Sequence, residues 1–255
     1  MLEFIQLLNQ RYQTVLSQTG KEASKSGYQQ RIDQLILAES FMRKGQLIHS
    51  SPELPLQMTT LGPTQAGKSS IVNVLLNSDV AGVSPLAGYT IHPQGFCHCV
   101  NLIECSGLQR YFGRFQQLQE AQFPRDRHDC YFLTETASVS PLLPHGVLWD
   151  TPDFDSIDSA VYREGVIRAM ALADVIILVV SKEKYADQSV WDIMSALEPL
   201  HQPTVICLNK LSEGSEALLI QSLKEKWQLV RKDDFPDVVP LYYQKQTGLP
   251  VWPED

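Results

Sequence analysis

The sequence has no long hydrophobic run: the longest strongly apolar stretch, Val175 to Val180, is strand-sized and breaks off at Ser181 and Lys182. A membrane span needs roughly 20 apolar residues, so no transmembrane segment is expected. The first ten residues, "MLEFIQLLNQ", lack a basic region ahead of an apolar stretch and do not read as a secretory signal. Cysteine is sparse and odd in number, five in 255 residues, which excludes a disulfide framework. These absences point to a cytoplasmic protein. Positive charge is also short, 21 Lys and Arg against 29 Asp and Glu, a net charge of −8. The first fifty residues carry six basic and four acidic side chains, which leaves −10 on the rest and disfavours nucleic acid as a partner. Internal repeats and low-complexity tracts are lacking too.

What is present is a 44% hydrophobic chain long enough to bury a sizeable core. Residues 1–50 read as a helical hairpin. Met1, Ile5, Leu8, Tyr12 and Val15 form one apolar stripe, and Tyr28, Ile32, Leu35, Ala38 and Met42 a second, after the break "TGKEASKSG". The prolines of "HSSPELP", His49 to Pro55, mark a linker. Beyond it, short apolar strands alternate with helical stretches. The strands expected are Leu56–Leu61, Gly95–Ile103, Val147–Trp149, Val175–Val180, Thr204–Leu208 and Val238–Tyr243. That alternation predicts an α/β fold, a mostly parallel sheet with helices on both faces, over residues 56–255. Cys97, His98 and Cys99 invite a metal reading, but strand alternation would set His98 opposite the thiols, and buried cysteines fit better.

Directly after the first strand comes "GPTQAGKSS": Gly62, Pro63, Thr64, Gln65, Ala66, Gly67, Lys68, Ser69 and Ser70, leading into the helical run "IVNVLLN". This is a phosphate-binding loop in its strand-to-helix context. Backbone N–H groups wrap the phosphates, which demands glycine for close approach. The helix N-terminus adds partial positive charge, Lys68 reaches the β- and γ-phosphates, and Ser69 offers its hydroxyl to Mg²⁺.

With "AGYT" (Ala87 to Thr90), "DTPDFDS" (Asp150 to Ser156) and "LNKLSEG" (Leu208 to Gly214), the chain resembles the translation-factor-related GTPases, in particular the Era-like and dynamin-like branches. The resemblance covers Leu56 to Pro250 and implies a Ras-like P-loop fold that takes GTP or GDP with Mg²⁺. It gives Thr90, the one threonine between Thr64 and Thr134, the part of the first switch, bonding Mg²⁺ and the γ-phosphate. Asp150 would hold Mg²⁺ through water, so Ser69, Thr90 and Asp150 form the implied metal set, and Lys68, Thr90 and Asp150 the catalytic one.

Three departures bear on function. Asp153 stands where the family has glycine, bringing a carboxylate near the γ-phosphate. Phe154 stands where Ras-like members position water with glutamine, so slow hydrolysis is implied. In the base-reading loop Asn209 and Lys210 are in place, but Ser212 replaces the aspartate that accepts two hydrogen bonds from guanine, and relaxed base selectivity is expected. Tyr243, Gln244 and Lys245 do not match the family's second base-contacting loop. An insert at about 104–145, with a helix over Leu108–Gln119 and an exposed loop "RDRHD", lies beside the switches as a surface for a protein partner or for self-association. After the sixth strand only "VWPED" follows the "TGLP" turn, so either the hairpin covers the face left by a closing helix or the chain is part of a longer protein. A nucleotide-binding interaction module with little hydrolysis is the alternative reading. A P-loop ATPase or kinase is disfavoured because neither needs an Asn-Lys pair at a strand end.

Overall fold

The computed structural model describes residues 1–19, 22–83, 90–118, 126–155, 159–243 and 250–251. Gly88, Tyr89, Gln244 and Lys245 lie outside them. Helices α1 (Leu2–Gln18) and α2 (Glu22–Ser50) open the chain. Then follow β1 (Leu56–Leu61), α3 (Lys68–Leu76), β2 (Gln94–His98), α4 (Leu108–Phe112), β3 (Gln116–Leu118), β4 (Cys130–Glu135) and β5 (Gly146–Asp150). The remainder is α5 (Ser159–Leu172), β6 (Val175–Ser181), α6 (Gln188–Leu197), β7 (Thr204–Leu211), α7 (Glu216–Val230), β8 (Asp237–Tyr243) and β9 (Pro250–Val251).

The strands form one sheet in the order β3-β4-β2-β5-β1-β6-β7-β8-β9, parallel except where β2 meets β5 and β8 meets β9. Alternate residues of the central strands feed two faces. Leu61, Leu178, Val180, Ile206 and Leu208 pack with residues of α2, α5, α6 and α7. Met58, Ile177, Val179 and Cys207 pack with Ile71, Val72 and Leu76 of α3. A third cluster joins Phe112, Tyr131 and Trp149, with the Phe112 and Tyr131 rings stacked at 4.0 Å between centroids.

The insert differs from its sequence reading. The helix expected over Leu108–Gln119 ends at Phe112, because Gly113 turns to φ +64, and Gln116–Leu118 becomes a strand. "CYFLTE" is a further strand, so the insert widens the sheet rather than decorating it. Of "RDRHD", Asp126 and Arg127 are exposed and His128 and Asp129 half-buried. β2 stops at His98 rather than running to Ile103, since Cys99 takes φ +54. Cys97 is accordingly buried while Cys99 is exposed, against the expectation that both thiols are buried. His98 is structural: Nε2 accepts from the Ser140 N–H at 2.9 Å, which leaves Nδ1 to donate to the Pro144 carbonyl at 3.1 Å.

The two N-terminal helices pair antiparallel, Gln6 meeting Glu39 and Tyr12 meeting Arg31. Of the first stripe, Ile5, Leu8 and Tyr12 are half-buried as expected, while Met1 and Val15 are exposed and Leu16 rather than Val15 packs toward the core. On α2, Ile32, Ile36 and Leu47 are buried and Ala38 is exposed. α2 lies along α5, and their interface holds buried charge. Glu39, 4% exposed, accepts from Gln6, Arg43 and Arg168. Asp33 pairs with Arg163 at 2.6 Å.

Candidate functional site

The phosphate loop is shaped by what its glycines leave out. A Cβ on Gly62 would stand 2.2 Å from the Val179 carbonyl oxygen, so only glycine lets β1 pass β6 into the loop. Gln65 (φ +61) and Gly67 (φ +98) turn the backbone left-handed, and α3 then starts at Lys68. Gly67 also makes room for the end of β7, where Asn209 and Lys210 stand. A Cβ on Gly67 would lie 2.4 Å from Asn209 Nδ2, which donates to the Ala66 carbonyl at 2.9 Å. Asn209 Oδ1 accepts from the Lys210 N–H, and Lys210 Nζ donates to the Gln65 carbonyl at 2.7 Å. Two loops 143 residues apart are thereby fixed to one another.

Lys68 is 5% exposed. Its ammonium donates to the Gly62 carbonyl at 3.0 Å, to the Pro63 carbonyl at 3.4 Å and to Asp153 Oδ1 at 2.5 Å. Asp153 thus reaches the lysine of the phosphate loop itself. Asp155, unremarked in the sequence reading, accepts at one oxygen from both the Thr64 N–H (2.5 Å) and the Thr64 hydroxyl (2.7 Å). Lys184 approaches its other oxygen at 3.6 Å. Phe154, between the two aspartates, turns the opposite way into the core and is 7% exposed.

The three residues of the expected metal set converge. Ser69 Oγ donates to Asp150 Oδ2 at 2.6 Å, and Thr90 Oγ1 approaches the same oxygen at 3.4 Å. Asp150 is fully buried, and Oδ1 has no hydrogen-bond partner among the described residues. Burial raises its pKa above the ordinary carboxylate value, and the charge of Asp153 adds to that, while Ser69, Lys68 and Thr90 oppose it. A buried carboxylate with two hydroxyls on one oxygen and the other oxygen orphaned fits a hydrated divalent cation, whose charge and waters would supply the missing partners.

Ser70 is half-buried on the first turn of α3. Ser212 is exposed, and its hydroxyl accepts from Lys182 Nζ at 3.0 Å, a partner that sequence reading missed. Asp155 was legible as a second carboxylate two residues beyond Asp153. Lys182 and Lys184 carried no signal, being ordinary polar residues after a strand.

A phosphate loop between strand and helix, a buried aspartate at the end of β5 and an Asn-Lys pair at the end of β7 together define a P-loop, GTP-binding domain. The chain belongs to the 50S ribosome-binding GTPase family, whose sequence model matches residues 57–210. No curated protein sequence matches it. Among solved structures it is similar to Era from Aquifex aeolicus bound to GDP and AlF4⁻, with a TM-score of 0.43, 18% identity, and 73% of this chain and 50% of that chain covered. It is also similar to an oligomerised bacterial dynamin pair, with a TM-score of 0.50, 18% identity, and 92% and 46% covered. A third is Toc33 from Arabidopsis thaliana, at 0.45, 16%, and 80% and 77%. The chain spans about half the length of the Era and bacterial dynamin structures. At these identities the likeness is one of fold.

Proposed function

We propose that the protein is a Mg²⁺-dependent guanine-nucleotide switch that binds GTP and GDP and hydrolyses GTP slowly to GDP and orthophosphate. The observation that carries this reading is the convergence of Ser69, Thr90 and Asp150 beside the phosphate loop, with Asp150 Oδ1 left for a ligand. The N–H groups of the loop from Gly62 to Ser70 and the Lys68 ammonium hold the phosphates. Asn209, Lys210 and Ser212 face the base. Ser69 and Thr90, with Asp150 through water, would hold the cation, and the ion would supply positive charge against the phosphate oxygens.

Hydrolysis is slow in this reading because Phe154 is committed to the core and cannot orient the attacking water. A protein partner or a second copy, meeting the 150–155 segment and the insert at 104–145, would supply the missing charge. Residues 1–50 form the hairpin appended to the nucleotide-binding unit of residues 56–255. The second reading, a binding module with little hydrolysis, is favoured by one observation, the Asp153 carboxylate on Lys68.

Affinity and turnover for GTP, GDP, ATP and a xanthine nucleotide, each with and without Mg²⁺, test the proposal. Lys68→Ala should weaken nucleotide binding by about ten- to a hundredfold, the worth of a charge-assisted phosphate contact. Equal binding by the parent and Lys68→Ala would sink the phosphate assignment. Fast turnover by a dilute monomer would contradict slow hydrolysis.

A further inference from the structure

The segment after β5 sends two side chains the same way. Asp153 and Asp155 lie two residues apart on either side of a core-facing Phe154, and both carboxylates accept from the phosphate loop. The groups they engage are the ones such a loop offers to phosphate: the Lys68 ammonium and the Thr64 N–H. Three contacts match the three N–H donors of Lys68, and the two carbonyl contacts are internal to the loop. The third donor is on Asp153. The pair is also enclosed, with side chains 5% and 16% exposed, so water screens it weakly.

We propose that Asp153 stands in for the third phosphate at Lys68, making it the residue by which the site discriminates between nucleoside diphosphate and triphosphate. This deepens the nucleotide-switch reading above and rests on it. A diphosphate reaches Lys68 through its β-phosphate alone, which can take the donor that spans the long 3.4 Å contact to the Pro63 carbonyl and leave the carboxylate on the ammonium, with the 150–155 segment closed over the loop. A triphosphate brings oxygens that need the same donor, and two anions at one buried ammonium repel each other, so Asp153 must leave. In the related proteins a glycine N–H at this position would be drawn toward the third phosphate. Here the third phosphate drives the segment outward, and Asp155 gives up Thr64 as it goes. The sense of the switch is inverted: closed with diphosphate, open with triphosphate.

The test is the ratio of GTP to GDP dissociation constants, measured with Mg²⁺ on the full chain for the parent, Asp153→Asn and Asp153→Ser. The parent should prefer GDP. Asp153→Asn keeps the shape and removes the charge, and should shift the ratio toward GTP by on the order of ten- to a hundredfold, the scale of a charge-assisted bond. GDP binding by the variant serves as its folding control. Should Asp153→Asn lose GDP as well, Asp153→Ser decides by the same ratio. A parent that binds GDP with a ratio unmoved in the variants overturns the inference and leaves the nucleotide reading standing. Both variants losing both nucleotides alike would make Asp153 a structural residue and overturn it too. A parent that binds neither nucleotide overturns the nucleotide reading itself, and this inference with it.

Discussion

Lys182 Nζ donates to Ser212 Oγ at 3.0 Å, so the residue that departs from the family's guanine-reading aspartate already holds a cation. A hydroxyl that accepts from an ammonium has its O–H left to donate and one lone pair left to accept, whereas guanine presents two donors to this position. Ser212→Asp should therefore widen the preference for GTP over ATP by about tenfold, but part of the new charge will go to Lys182. Ser212→Asp with Lys182→Ala should widen it further. Competition binding with the two nucleotides checks both. A double variant no more selective than the parent would mean that another group reads the base.

Gly67 and Gly214 share a left-handed backbone, at φ +98 and +76, but only Gly67 has a neighbour where a side chain would go. Gly214→Ala should cost about 1–2 kcal/mol of backbone strain and leave nucleotide affinity alone. Gly67→Ala meets the same strain and also displaces Asn209 from the Ala66 carbonyl, so it should lower nucleotide affinity as well as stability. Urea unfolding beside nucleotide titration separates the two effects.

Asp150 is held above its ordinary pKa by burial, with Asp153 adding to that. A folded-state pKa above the unfolded value of 3.8 means that the folded protein holds the proton more tightly, so stability falls as pH rises from 3.8 through the folded value and stays reduced at neutral pH. Asp150→Asn should accordingly raise Tm at neutral pH without ligand, and abolish the gain in nucleotide affinity that Mg²⁺ gives to the parent. A lower Tm in the variant would show that the ionised carboxylate is fully compensated by Ser69 and Lys68.

Glu39 shows the opposite sign. Burial pushes its carboxyl up, but Arg168, Gln6 and Arg43 together outweigh burial, and the net shift is downward from 4.5. Its contribution is present above pH 4.5 and is lost as pH falls through the lowered folded value. Glu39→Ala removes one of two carboxylates from the buried Arg168, which keeps Glu164 at 2.8 Å, and should cost about 1–3 kcal/mol. Glu39→Gln should cost less and flatten the acid limb of the stability curve. Unfolding free energies from about pH 6 to pH 3 decide it.

The phosphate loop was legible because its chemistry dictates residue types: glycine where backbones touch, lysine and serine at the helix start. Asp150, Asn209 and Lys210 were legible as strand-end residues of a resembled pattern. The contact of Asp153 with Lys68 was not, since 85 residues separate them and only the fold sets their distance. The strand Cys130–Glu135 escaped because four buried residues in a row show no alternation, as befits a strand covered on both faces. Gln116–Leu118 escaped for another reason: two of its three side chains are exposed, and it is a strand because β4 lies beside it. "LQRYFGRFQQLQ" reads as one helix from Leu108 to Gln119, and the fold breaks it at Gly113. A Cβ there would meet the Arg43 guanidinium at 2.9 Å, a constraint imposed from α2, 70 residues earlier (113 − 43).

The bond from Glu39 to Arg168 also sets a clock on synthesis. The two residues are 129 positions apart, so at about 5–20 residues per second a ribosome delivers Arg168 roughly 6–26 s after Glu39. During that interval the face of α2 that carries Ile32 and Ile36 has no α5 to cover it. Gln6 precedes Glu39 by only 33 residues, so α1 is at hand from the start and shields its partner helix while the sheet is still being made.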